Sequence, residues 1–126
     1  MKKSMKRIAS FAILGTLAFS SSVFAANKPS VSFFTKQGAS GSISVSGGYA
    51  YGSTYSEIAA SVVQVRIYDE ITQNSNEETK DSLVKNKHVF NANTSIKVQP
   101  GGYRISGYHY VSAGEAYGTG STWLRK

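Results

Sequence analysis

From residue 31 onward, apolar and polar positions alternate in short runs broken by glycine, serine and asparagine. An every-second-residue period is the signature of a strand with one buried face. Val31–Thr35 opens the series with Val, Phe, Phe and Thr, and the Gly- and Ser-rich stretch 36–41 reads as a loop. Across 42–51, Ile43, Val45, Gly47, Tyr49 and Tyr51 share one side, which predicts a single strand with a bulge or a close backbone approach at Gly47-Gly48. Gly52-Ser53-Thr54 closes that strand, and 55–60 admits a helical turn at Ile58-Ala59-Ala60. Over 61–71, Val63, Val65, Ile67 and Ile71 oppose Gln64, Arg66 and Tyr68, and the β-branched content favours a strand. Residues 72–81 contain no apolar side chain and read as a mobile loop. Ser82–Val84 reads as a short edge strand beside lysines. Three longer runs follow, at 88–98, 103–111 and 116–124.

Turn signals recur roughly every 8–12 residues and no helix is evident, so the chain predicts an all-β fold. The expected architecture is a single antiparallel β-sandwich of about seven strands. The strongest turn is Pro100-Gly101-Gly102, followed at once by Tyr103. A tyrosine at the start of the penultimate strand is a feature of immunoglobulin-like sandwiches, where its hydroxyl bonds back to upstream backbone. These four residues are therefore read as a structural corner. An immunoglobulin-like arrangement is the first expectation, with another antiparallel sandwich or a small barrel as the alternative.

The first 25 residues change the charge picture. Lys2, Lys3, Lys6 and Arg7 precede an apolar stretch, Ile8–Phe19, and then the small-residue exit SSSVFAA. That order is a secretory signal peptide, with cleavage expected after Ala25, and the apolar block is too short to span a bilayer. The expected organisation is thus 1–25 signal peptide and 26–126 one β-sandwich domain. Four of the 14 cationic residues lie in the signal, which leaves ten against seven acidic residues, a net of +3. A nucleic-acid partner inferred from the full-chain +7 would rest on the removed segment. The chain has no Cys, so disulfides, a thiolate nucleophile and Cys-ligated zinc are excluded. Export without cysteine resembles the habit of bacterial, Gram-positive exoproteins. The expected location is extracellular, with no transmembrane segment after the signal.

Catalytic signatures are scarce. His88 and His109 are the only histidines, and no Gly-x-Ser-x-Gly elbow accompanies them. His109 has inward parity and reads as a core histidine satisfied by a neighbour, whereas His88 ends a basic run and reads as exposed. Five of the seven carboxylates crowd into 69–81, where a solubilising loop is the plain reading and a weak calcium site the sharper one. No cofactor is expected, and the chain is read as non-enzymatic.

The aromatic load is the unusual feature, with eight tyrosines, all after residue 26. Arg104, Tyr108 and Tyr110 share the outward parity of one strand, and Arg66 and Tyr68 that of another. Tyr and Arg combine large area with a polar handle, which suits a contact face. The expected function is a binding or cell-envelope-associated module using that face, with cell-wall polysaccharide or an extracellular protein as partner. The competing expectation is a secreted antimicrobial or inhibitor-type antagonist.

Overall fold

A computed structural model of the protein describes residues 27–85 and 87–126. The expected signal peptide therefore lies outside the described residues. Eight strands follow one another: β1 (Ser30–Phe33), β2 (Ala39–Ser46), β3 (Tyr49–Ala60), β4 (Val62–Asp69), β5 (Ser75–Asp81), β6 (Val89–Lys97), β7 (Arg104–Ala113) and β8 (Ala116–Arg125). A short helix, α1 (Ser82–Lys85), sits between β5 and β6, where the lysine-flanked stretch suggested an edge strand. The strands form two four-stranded antiparallel sheets, ordered β1-β2-β3-β6 and β5-β4-β7-β8. The expected sandwich is present, with one strand more than the sequence suggested.

Its core follows from the alternation. Val63, Val65 and Ile67 of β4 and Ile105 and Val111 of β7 face Ile43, Ala50, Ala92 and Ile96 of the other sheet, all buried. Each such branched side chain contributes roughly 1.5–3 kcal/mol on leaving water. Small inward residues on the first sheet make room for larger ones opposite. A Cβ on Gly52 would stand 2.5 Å from an Ile67 methyl carbon.

Other expectations fail for physical reasons, and the helical turn expected within 55–60 is part of β3. Gly47 and Gly48 do not form a bulge within a strand. Both have positive φ, 60° and 83°, and they are the two-residue loop of a hairpin between β2 and β3. Such loops need left-handed backbone at both positions, which glycine adopts without a Cβ penalty. The turn reverses the chain, so Tyr49 and Tyr51 face the opposite way from Ile43 and Val45, paired with Ser46 and Ser44. The strand then continues without a break through 52–60.

The polar stretch 72–81 is likewise not a free loop, since β5 occupies most of it. Its side chains do not need to be apolar because they do not enter the core. Asn74 and Asn76 donate to the carbonyls of Lys97 and Ser95, at 3.0 and 3.1 Å. Glu78 accepts from the Asn93 N–H at 2.9 Å, and Lys80 donates to the Asn91 side chain at 3.1 Å. A ladder of side chains thus covers the outer edge of β6. The opposite gap between the sheets is closed by backbone, since Lys28 and Trp123 exchange both N–H···O bonds at 2.8 and 2.9 Å. The Lys28 ammonium also lies over the Trp123 ring, 5.4 Å from its centroid. Covered edges limit pairing with other chains.

The crossings β3→β4, β5→β6 and β6→β7 bring β6 beside β3 and β7 beside β4. The turn at Pro100-Gly101 leads from β6 into the penultimate strand, β7. The Tyr103 ring packs against the core, and its carbonyl accepts from the Lys126 N–H at 2.9 Å. Asp69 completes the corner. Its buried carboxylate accepts from the Arg104 N–H (3.0 Å), and from the N–H groups of Ile71 (3.3 Å) and Thr72 (3.2 Å) and the Thr72 hydroxyl (2.7 Å).

Candidate functional site

The register places the sequence-predicted face as expected but not its exposure. On the outside of the second sheet Arg66 pairs with Tyr108, Gln64 with Tyr110, and Tyr68 with Ser106. Arg104 is exposed at the start of the same strand. Tyr108 and Tyr110, however, retain only 4% and 6% of their surface. They belong to a second small cluster with Val62 and half-buried Tyr68. The Tyr110 ring stacks on Tyr117 with centroids 5.7 Å apart, and the Tyr108 hydroxyl bonds to Thr119. Burial raises the Tyr108 pKa above the ordinary tyrosine value. Arg66 is half-buried beside Glu77, with 4.0 Å between the charged groups. The hollow beside Arg104, lined by Ser106 and Trp123, encloses about 10 Å³, room for about one water. Tyr108 and Tyr110 are therefore packing residues rather than a contact surface. Alternation distinguishes the two sides of a strand, and it does not report how much of the outer side is covered.

The other sheet carries the open aromatic face. Reversal of the chain at Gly47-Gly48 turns Tyr49, Tyr51 and Tyr55 of β3 outward, where they are 44%, 46% and 46% exposed. The Tyr49 and Tyr51 ring centroids lie 6.4 Å apart. Tyr55 follows about 13 Å further along the same strand at ~3.3 Å per residue. On one flank, β2 places Ser46, Ser44 and Ser40 opposite these three tyrosines. On the other, β6 places Lys97, Ser95 and Asn91 opposite them. Ser53, between Tyr51 and Tyr55, has Ser42 and Asn93 as neighbours. A row of rings thus stands between two rows of hydroxyl and amide groups.

Beyond β2 the surface drops, because β1 and β2 present only serines there while Tyr55 stands tall beside them. Two open hollows result, of about 300 and 450 Å³. They share Ser32 and Ser40, with Tyr55 and Glu57 at the wall of one and Lys28 at the end of the other. Together they make a shallow trough along β1 and β2 that meets the tyrosine row at Tyr55. The twelve residues of β3 run the length of this surface. Its far end departs from the β6 register between Tyr55 and Ala60, and Gln37 fills the gap. The buried Gln37 amide donates to the carbonyls of Ile58 and Ala59, both at 2.9 Å.

His88 is exposed, in agreement with the sequence reading. His109 is fully buried between the sheets, as its parity predicts, with Nδ1 2.8 Å from the Thr54 hydroxyl and Nε2 2.8 Å from that of Thr122. Neither partner is a carboxylate. Gly41 permits the imidazole to sit there, since a Cβ at that position would lie 2.2 Å from the ring. Desolvation lowers the His109 pKa to about 4, against a smaller opposing contribution from a backbone hydrogen bond with Ser53. Among the described residues no group of three His, Asp or Glu side chains is placed to hold a metal ion. In the stretch suggested for calcium, Asp69 is committed to backbone donors and Glu78 to Asn93.

A hint of the tyrosine row was present in the sequence. Ser40, Ser42, Ser44 and Ser46 alternate on one strand, and Tyr49, Tyr51 and Tyr55 continue the same spacing across a two-glycine turn. Taking Gly47-Gly48 as a hairpin loop rather than a bulge brings the serines and tyrosines onto one face. No protein-family model matches the chain, and no curated protein matches it, so the surface itself carries the functional argument.

Proposed function

We propose that this protein is an exported, non-enzymatic recognition module of the bacterial cell envelope, and that it binds through the β1-β2-β3-β6 sheet. The observation that carries the reading is the exposed row Tyr49, Tyr51 and Tyr55, set among serine and asparagine side chains. Binding faces combine aromatic area with a few hydrogen-bonding groups, and this surface has both. The leader-like order of the first 25 residues, a basic start, an apolar block and a small-residue exit, supports export. Anchorage of the contact on long strands suits a rigid, preorganised platform.

The test is retention on purified sacculi carrying their wall polysaccharide. The wild type is expected to co-sediment with them. The Tyr51→Ala/Tyr55→Ala double variant should lose about tenfold in affinity, at about 0.5–1.5 kcal/mol for each ring. Its melting temperature should stay within a few degrees, because both rings are half exposed. Arg66→Ala/Arg104→Ala should bind as the wild type does. Loss of binding in the arginine pair with none in the tyrosine pair would return the site to the second sheet.

A further inference from the structure

We infer that the ligand of this face is an uncharged polysaccharide chain lying along β3, its sugar rings on Tyr49, Tyr51 and Tyr55 and its hydroxyls on the flanking serines and asparagines. This rests on the binding reading above and names its chemistry. Three observations lead to it.

The first is charge. Between Glu57 at one end of β3 and Lys97 opposite Tyr49 at the other, the outward positions of all four strands carry none. An anionic polymer or an acidic peptide would meet no row of cations along the strand, since Lys80, bonded to Asn91 at the flank, stands alone there and has Glu78 beside it at 3.9 Å. The second is the partition of the surface. A pyranose ring has C–H groups on its faces and hydroxyls around its rim. The electron-rich faces of tyrosine attract the C–H groups, while hydroxyl and amide side chains exchange hydrogen bonds with the rim. The face supplies these in parallel lines, Ser–Tyr–Ser at Tyr51 and Ser–Tyr–Asn at Tyr55. A protein partner would instead favour a contiguous apolar centre with charges excluded to the rim. Here the tyrosines are separated from further apolar surface on both flanks by polar side chains. The third is shape. The exposed row extends along β3, and the hollows of about 300 and 450 Å³ along β1 and β2 meet it at Tyr55, which gives an extended surface suited to a long chain.

Affinity electrophoresis tests this with defined probes. Hydroxyethyl cellulose and glycol chitin serve as neutral polymers, and alginate and heparin as anionic ones. The wild type should be retarded by at least one neutral polymer, and Tyr51→Ala/Tyr55→Ala should migrate about as it does in a blank gel. Ser44→Glu, an exposed change beside Tyr51 that truncates nothing, should lose the retardation as well. Retardation by the anionic polymers alone would overturn the inference, as would retardation by a neutral polymer that both variants keep. If no polymer retards the protein while tyrosine-dependent retention on sacculi persists, the glycan inference falls and the binding reading stands. If neither occurs, both fall.

Discussion

At pH 5 the folded protein is expected to be about 2 kcal/mol less stable than at pH 7 through His109 alone. In the native state burial holds this imidazole at a pKa of about 4. In the unfolded chain it returns to its ordinary value near 6.5. The unfolded state therefore takes up the proton first, and stability drains away as pH falls from about 6.5 to about 4. The whole interval is worth about 3 kcal/mol. Hydrogen bonding does not oppose the proton, because both nitrogens face threonine hydroxyls that can accept as well as donate. The cost is desolvation of a cation between two sheets, with glycines and threonines of β2, β3, β7 and β8 around it. Denaturant titrations at pH 7, 6 and 5 measure it. The wild type should lose about 10 °C of melting temperature between pH 7 and pH 5. His109→Gln should be less stable at pH 7 and markedly flatter across the interval, since it does not titrate. Parallel pH profiles for the two proteins would contradict the assignment.

Asp69→Ala should cost about 2–4 kcal/mol, the largest effect expected from any carboxylate in the chain. Its two oxygens receive four donors, three of them backbone N–H groups. One of these, from Arg104, ties the end of β4 to the beginning of β7, and the Glu70 N–H reinforces the tie by donating to the Arg104 carbonyl at 2.9 Å. Truncation leaves the amides of Thr72 and Arg104 without their acceptor next to a buried site, and unmade bonds cost more than made bonds contribute. Asp69→Asn should recover only part of the loss, because an amide nitrogen would point at donors. Equilibrium unfolding in urea checks this, and a change below about 0.5 kcal/mol for Asp69→Ala would show that water replaces the carboxylate without penalty.

Much of the second sheet was legible because β4 and β7 alternate without interruption, and Val63, Val65, Ile67, Ile105 and His109 all fall on the inner side as their parity requires. The turn between β6 and β7 was legible too, since proline fixes φ and the two glycines admit the turn conformations that follow it. The first sheet was harder. A Gly-Gly pair permits either a bulge or a tight turn, and choosing between them flips every side chain that follows. That single ambiguity hid Tyr49 and Tyr51. The strand β5 was hidden because its inward side chains bond to the edge of β6 rather than entering the core, so it lacks the apolar period that marks other strands. Nor does a sequence show coverage. Tyr108 and Tyr55 look alike along the chain, yet they retain 4% and 46% of their surface.

Tyrosine footprinting shows most directly which tyrosines meet the ligand. Nitration with tetranitromethane, read by mass spectrometry, would be compared for the free protein and the protein bound to sacculi. Tyr117, 64% exposed on the opposite sheet, is the internal reference. Several-fold protection of Tyr49, Tyr51 and Tyr55 with Tyr117 unchanged is the predicted result. Protection of Tyr117 with Tyr49, Tyr51 and Tyr55 labelled as in the free protein would contradict it.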